Sequence, residues 1–116
     1  MRLFQSHPIG IDQGEEVLFS DFADGGEMWT GKGPRERRCR IGFSSAFRTP
    51  PVVQIGVALW DVDTSSALRA EVRAEEITCD GFDAVFRTWS DTLVARIRVS
   101  WLAIGEVAHP DDWVIM

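Results

Sequence analysis

Residues 77–105 hold two runs in which apolar and polar side chains alternate, joined by the short polar turn Ser90-Asp91-Thr92. In the first run Phe82, Ala84 and Phe86 oppose Asp83, Val85, Arg87 and Trp89. In the second, Ile97, Val99, Trp101 and Ala103 oppose Val94, Arg96, Arg98 and Ser100. Strand side chains alternate between faces, so a period of two marks a half-buried strand and not a helix, whose period is about 3.6 residues. The pair reads as a β-hairpin with one core face and one polar face. Trp89 falls on the polar face beside the turn. An exposed indole next to Ser90, Asp91 and Thr92 is the first candidate for a binding surface.

The rest of the chain repeats the pattern. Residues 15–22 form a first strand, with Val17 and Phe19 alternating against Leu18 and Ser20. Residues 35–43 form a second, with Arg37, Cys39, Ile41 and Phe43 on one face and Arg38, Arg40 and Gly42 on the other. Pro50-Pro51 forbids helix before a third strand at 52–60, which is almost wholly apolar and so reads as central in its sheet. In residues 68–77, Leu68, Ala70, Val72 and Ala74 point inward and Arg69, Glu71, Arg73 and Glu75 outward. Asp80-Gly81 is a tight turn. The charged face of this strand is expected opposite Arg96 and Arg98, as ion pairs in solvent or as an interlocking oligomer interface. Between the first two strands, residues 23–34 are a long loop. Its four glycines and one proline permit unusual backbone angles, and around Trp29 it is suited to presenting amide groups to a polar ligand. Five or six antiparallel strands without a sustained helical stripe give an all-β fold, a β-sandwich. Residues 1–14, broken by Pro8, Gly10 and Gly14, are expected to be an arm, 15–105 the domain and 106–116 a tail.

A chain of 116 residues fits one domain. That length buries about two thirds of the unfolded surface, enough to fold without staples. The net charge of −6 argues against a nucleic-acid partner and against docking on an anionic membrane. No apolar run reaches membrane-spanning length. The first residues lack a signal-peptide pattern, so export by that route is not expected. Release by lysis, by a dedicated system or on a particle stays open. Of the twelve basic residues only Lys32 is a lysine; the others are arginines, suited to bidentate carboxylate pairing. Cys39 and Cys79 are either two small buried thiols or one inter-strand disulfide. Asp61 and Asp63 have the spacing of a calcium pair but fit turn capping better. His7 and His109 are isolated. No nucleophile elbow, zinc motif or phosphate-binding glycine pattern is present, so neither an enzyme nor a cofactor is expected.

Ile41-x-Phe43, Phe47, Pro50-Pro51-Val52-Val53, Asp61, Leu68-Arg69, Gly81-Phe82, Thr88-Trp89-Ser90-Asp91-Thr92 and Ser100-Trp101-Leu102-Ala103 follow one another without insertion. In this order and spacing they resemble the H-type lectin domain, from Trp29 to Gly105. The resemblance implies a six-stranded antiparallel β-sandwich assembled as a homotrimer, with galactose or N-acetylgalactosamine bound between neighbouring subunits. It implies that Arg69 bonds sugar hydroxyls and that Trp89 and Ser90 contact the sugar from a neighbouring subunit. The loop before the second strand, here Gly31, Lys32 and Gly33, would supply backbone contacts, and Glu36 is the candidate for its carboxylate. The chemistry agrees: an indole covers the apolar face of a sugar, and a planar guanidinium binds its hydroxyls. The alternative from another class is the same trimer used structurally, as a spike, fibre or assembly domain of a larger particle. A third is a glycosidase-associated domain.

Overall fold

The computed structural model describes residues 1–108. It contains β1 (Ile9–Ser20), β2 (Arg35–Gly42), β3 (Val52–Val62), β4 (Ala70–Glu75), β5 (Gly81–Thr88) and β6 (Val94–Glu106), with a single helical turn, α1 (Glu27–Thr30). The strands form two antiparallel three-stranded sheets, ordered β1-β6-β3 and β2-β5-β4. The expected six-stranded sandwich is therefore present.

Its connections differ from the expectation at the stretch with the clearest alternation. β5 and β6 are not hairpin partners. Each is the middle strand of a different sheet, and the turn between them crosses from one sheet to the other. Their inner faces meet across the core: the rings of Phe82 and Trp101 lie edge to face, 5.5 Å apart. Alternation specifies which side chains face inward but not which backbone lies alongside. The local hairpin is instead β4–β5, with Glu75 opposite Asp83.

Phe82, Ala84 and Phe86 face Ile97, Val99, Trp101 and Ala103 in a core completed by Leu18, Phe19, Met28, Ile41 and Phe47. Burying one such aromatic stabilises by about 1.5–3 kcal/mol. Phe19 packs on Phe86 at 5.4 Å and Phe43 on Phe47 at 5.0 Å. Gly81 permits the close approach of β5 to its ladder neighbour β2: a Cβ there would lie 2.3 Å from the Ile41 carbonyl oxygen.

Several face assignments change because the ladders contain bulges. A register shift between Val17 and Phe19 buries both Leu18 and Phe19 and turns Val17 outward. Another, between Asp61 and Val62, buries Val94 with Ala95 rather than beside Arg96. Ala95 uses its carbonyl to accept the amides of Asp21 and Phe22. β3, expected to be central, is an edge strand. Its apolar run serves two environments, with Val53 and Ile55 on the core and Val52, Val57 and Trp60 exposed. Leu68 precedes β4 and is exposed. The arm is shorter than expected, since Ile9 to Gly14 pair with Trp101 to Glu106. Val107 then donates to the Pro8 carbonyl at 2.9 Å. Residues 109–116 of the expected tail, His109 included, lie outside the described residues.

Several amides of the 23–34 loop are taken up by bonds within the protein. Gly26 donates to the Asp21 carbonyl, Trp29 and Thr30 to that of Gly26, Gly31 to that of Glu27, and Met28 to the Asp21 carboxylate. Buried Asp21 also pairs with Arg37 at 2.9 Å, which lets that inward-facing arginine lie over the Phe19 ring. Cys39 and Cys79 are both free thiols. Burial pushes the Cys39 thiol up, with Glu16 and Asp83 adding to the shift, so less of it is the reactive thiolate. Asp63 caps its turn, accepting Ser65 N–H at 2.9 Å and the Ser65 hydroxyl at 2.7 Å. These two bonds hold its carboxyl below the ordinary carboxylate value.

Candidate functional site

The β5–β6 connection builds one end of the sandwich. Thr88 and Thr92 flank it, and each is only 1% exposed. Both hydroxyls turn toward the chain entering β4. Thr88 Oγ1 donates to the Arg69 carbonyl at 2.6 Å. Thr92 Oγ1 donates to the Ala67 carbonyl at 2.7 Å and accepts the Arg69 amide at 3.0 Å. The backbone of Arg69 is thus held at both its polar groups while its side chain stays exposed. Its nearest charge is Asp91, at 3.6 Å. So exposed a pair contributes little, and the guanidinium keeps donors for a ligand.

Ser90 occupies the tip with φ +63°, a left-handed conformation costly for a residue with a Cβ. Its carbonyl is pinned by the Gly33 amide at 2.8 Å and by Arg35 Nη2 at 3.3 Å. Gly33 is itself at φ +75°, which explains glycine there. Arg35 is buried and also donates to the carbonyls of Gly33, Glu27 and Met28. This side chain ties the loop carrying Gly31, Lys32 and Gly33 to the tip carrying Ser90.

Trp89 is 43% exposed and walls a shallow pocket of about 440 Å³ shared with Pro34, Glu36, Glu71 and Arg87. Its floor is a cross-strand row in which Arg87 pairs with Glu36 of β2 on one side and Glu71 of β4 on the other. Arg87 Nε donates to Glu36 at 2.8 Å, and Nη1 to Glu71 at 3.3 Å and Glu75 at 3.0 Å. Arg38 continues the lattice to Glu75 at 2.8 Å and Asp83 at 3.0 Å. Hydrogen bonds from Arg87 and then Arg38 lower Glu75 to about 2, and the same bond to Glu75 raises Arg87. Val85 lies on this outer face, yet it is fully buried and outside the core cluster. The expected charge ladder is therefore real but has other members. The partners of the β4 carboxylates are Arg87, Arg38 and, at 4.0 Å, Arg73; Arg96 and Arg98 belong to the opposite sheet.

The fold thus sets Arg69, Ser90 and Gly33 around one rigid tip and puts Trp89 and Glu36 on one pocket. Glu36 stands on β2 and is bound by Arg87, not on the preceding loop. Gly31 closes α1 and is half-buried, and Lys32 is exposed. The positioning roles of Arg35, Thr88 and Thr92 were not expected. Most of their bonds join residues distant in sequence. Arg87 and Glu71 carried a usable signal, because both share the outward parity of Trp89 and Arg69 respectively.

Residues 38–104 match the family model of the H-type lectin domain. The chain belongs to the H-type lectin domain family. The ORF 7 product of the ATP synthase subunits region of Fuscovulum blasticum is 50% identical over 107 residues, 92% of this chain and 93% of that protein. Discoidin-2 of Dictyostelium discoideum is 32% identical over 76 residues, 65% of this chain and 30% of that one. In structure, recombinant discoidin II of Dictyostelium discoideum superposes with a TM-score of 0.76 at 25% identity, covering 91% of this chain and 41% of that chain. The chain therefore spans nearly all of the Fuscovulum protein and less than half of the discoidin. It is a lectin-like domain of a carbohydrate-binding family. Among its described residues no helix is long and apolar enough to cross a membrane.

Proposed function

We propose that this H-type lectin domain binds galactose or N-acetylgalactosamine-type glycans at sites between the subunits of a homotrimer, without catalysis. The observation that carries the reading is the pairing of an exposed Trp89 with an Arg69 whose backbone is clamped by two buried threonines. One covers the apolar face of a sugar; the other offers a fixed planar donor to its hydroxyls. Gly31, Lys32, Gly33, Ser90 and Glu36 complete the proposed site, with contributions from neighbouring subunits.

Support for assembly comes from the opposite sheet. The outer face of β1-β6-β3 carries Ile11, Ile104 and Val52 in one cross-strand row, and Gln13, Leu102 and Gln54 in another. Ile11 is 67% exposed and Val52 50%. The first of these rows is apolar across all three strands, the kind of surface that copies of a chain cover. Several weak sugar sites on one oligomer then act through avidity.

The test combines solution mass by light scattering with titration of galactosides and N-acetylgalactosaminides followed by tryptophan fluorescence. A trimer whose emission shifts with one of these sugars is the expected result. A trimer blind to a full glycan panel replaces the lectin role with the structural one on a larger particle. A monomer removes the intersubunit site.

A further inference from the structure

We infer that the pocket beside Trp89 is an extension subsite. It takes an uncharged second sugar residue of a glycan whose first residue lies at Arg69, and it rejects an anionic one. This rests on the carbohydrate reading above and adds to it a preference for the neighbouring residue.

The position follows from the ladder. Ala70 pairs with Thr88 at the last rung of the β4–β5 ladder, so Arg69 and Trp89 each lie one residue beyond it, toward the tip. Glu71 and Arg87 form the adjacent row on the same outer face, two residues along each strand. That spacing is about 7 Å. Trp89 stands at the boundary, its ring walling the pocket of about 440 Å³, with Arg69 likewise just past the end of the ladder. A ligand lying on Arg69 and extending along the sheet enters this pocket next.

The preference follows from which polar atoms remain unspent. Arg87 is engaged by Glu36, Glu71 and Glu75. Arg35, at the back of the pocket, is committed to four backbone carbonyls. The two cations that line the pocket therefore have their donors turned to the protein. The carboxylates of Glu36 and Glu71 are each 43% exposed, and a carboxylate oxygen accepts more than one bond. The pocket thus presents acceptors beside an indole. Hydroxyls satisfy acceptors by donating, and the apolar face of a pyranose ring fits the indole. A uronate brings only acceptors and a negative charge at its carboxylate, and it meets Glu36 and Glu71 instead of free donors.

The experiment compares dissociation constants for methyl β-galactoside, for lactose and for the galactosyl-glucuronate that differs from lactose only in the oxidised C6 of its second ring. It uses the wild-type chain and Glu71→Gln. Lactose is expected to bind about tenfold more tightly than the methyl galactoside, as two added hydrogen bonds would give. The galactosyl-glucuronate should lose that advantage. Glu71→Gln keeps an acceptor but removes the charge, so it should bring the galactosyl-glucuronate closer to lactose in affinity, with circular dichroism confirming the fold. Equal affinities for lactose and the methyl galactoside in wild type would overturn the subsite and leave the lectin reading standing. A galactosyl-glucuronate that binds wild type as tightly as lactose, or one that gains nothing on lactose in Glu71→Gln, would overturn it too. Binding of none of the three, with no response to N-acetylgalactosaminides, would remove the lectin reading and the subsite with it.

Discussion

The two sheets present outer faces built on the same alternation but finished in opposite ways. On β2-β5-β4, Arg38, Arg40, Arg73 and Arg87 each lie within 4.0 Å of a carboxylate of the same chain. This lattice covers Val85 completely. On β1-β6-β3, Ile11, Val17, Val52 and Leu102 are exposed, and Glu15 reaches Arg98 only at 3.7 Å. The first face satisfies its own polar groups within one chain, so what it offers a partner is the pocket at its edge. The second leaves apolar surface in water, a cost of about 25 cal/mol per Å² that only another surface relieves. The first face offers a pocket at its edge, and the second offers an apolar row to another surface.

Substitutions on either face test that division. Leu102→Glu, at the centre of the apolar face, should convert the proposed trimer to monomers, because burying an unpaired carboxylate costs several kcal/mol. Light scattering reads this directly, and an unchanged mass would place the contact between copies elsewhere. Trp89→Ala should reduce galactoside binding below detection while leaving the oligomer intact, as should Arg69→Ala. Unchanged titrations for both variants would remove the site assignment. Thr92→Val keeps the shape but leaves the Ala67 carbonyl and the Arg69 amide without their partner. It should cost about 1–3 kcal/mol in denaturant unfolding and weaken sugar binding through the displaced Arg69.

The smallest effect is electrostatic. The Glu75 carboxyl is lowered from 4.5 to about 2 by Arg87 and Arg38. Its contribution is therefore complete above the ordinary carboxylate value and is lost as pH falls toward about 2. Glu75→Gln should flatten the fall in stability below pH 4.5, with little change at higher acidity where the wild-type group is already protonated. Identical acid-unfolding profiles would show that the lattice does not contribute through this residue.

How far the chain could be read differs between these features. Alternation placed Phe82, Ala84, Phe86, Ile97, Val99, Trp101 and Ala103 in the core and Trp89, Arg69 and Arg87 on outer faces, and the structure keeps all of them there. Val85 shared the outward parity and is nevertheless buried, because the arginines and carboxylates around it close over the top. Arg35 gave no signal, since a buried arginine depends on carbonyls brought together from Gly33, Glu27, Met28 and Ser90.

By itself the order of residues determined the strand periodicity, the identity of the inward face and the exposure of an indole beside a polar turn. These depend on side-chain polarity and on a backbone geometry that repeats every two residues. Only the tertiary structure decided that β5 and β6 stand in opposite sheets, that bulges bury Leu18 and Val94, and that Thr88 and Thr92 clamp Arg69. A period of two fixes which way a side chain points. It leaves open which strand becomes its neighbour, and that choice is made by long-range packing of the two inner faces on each other.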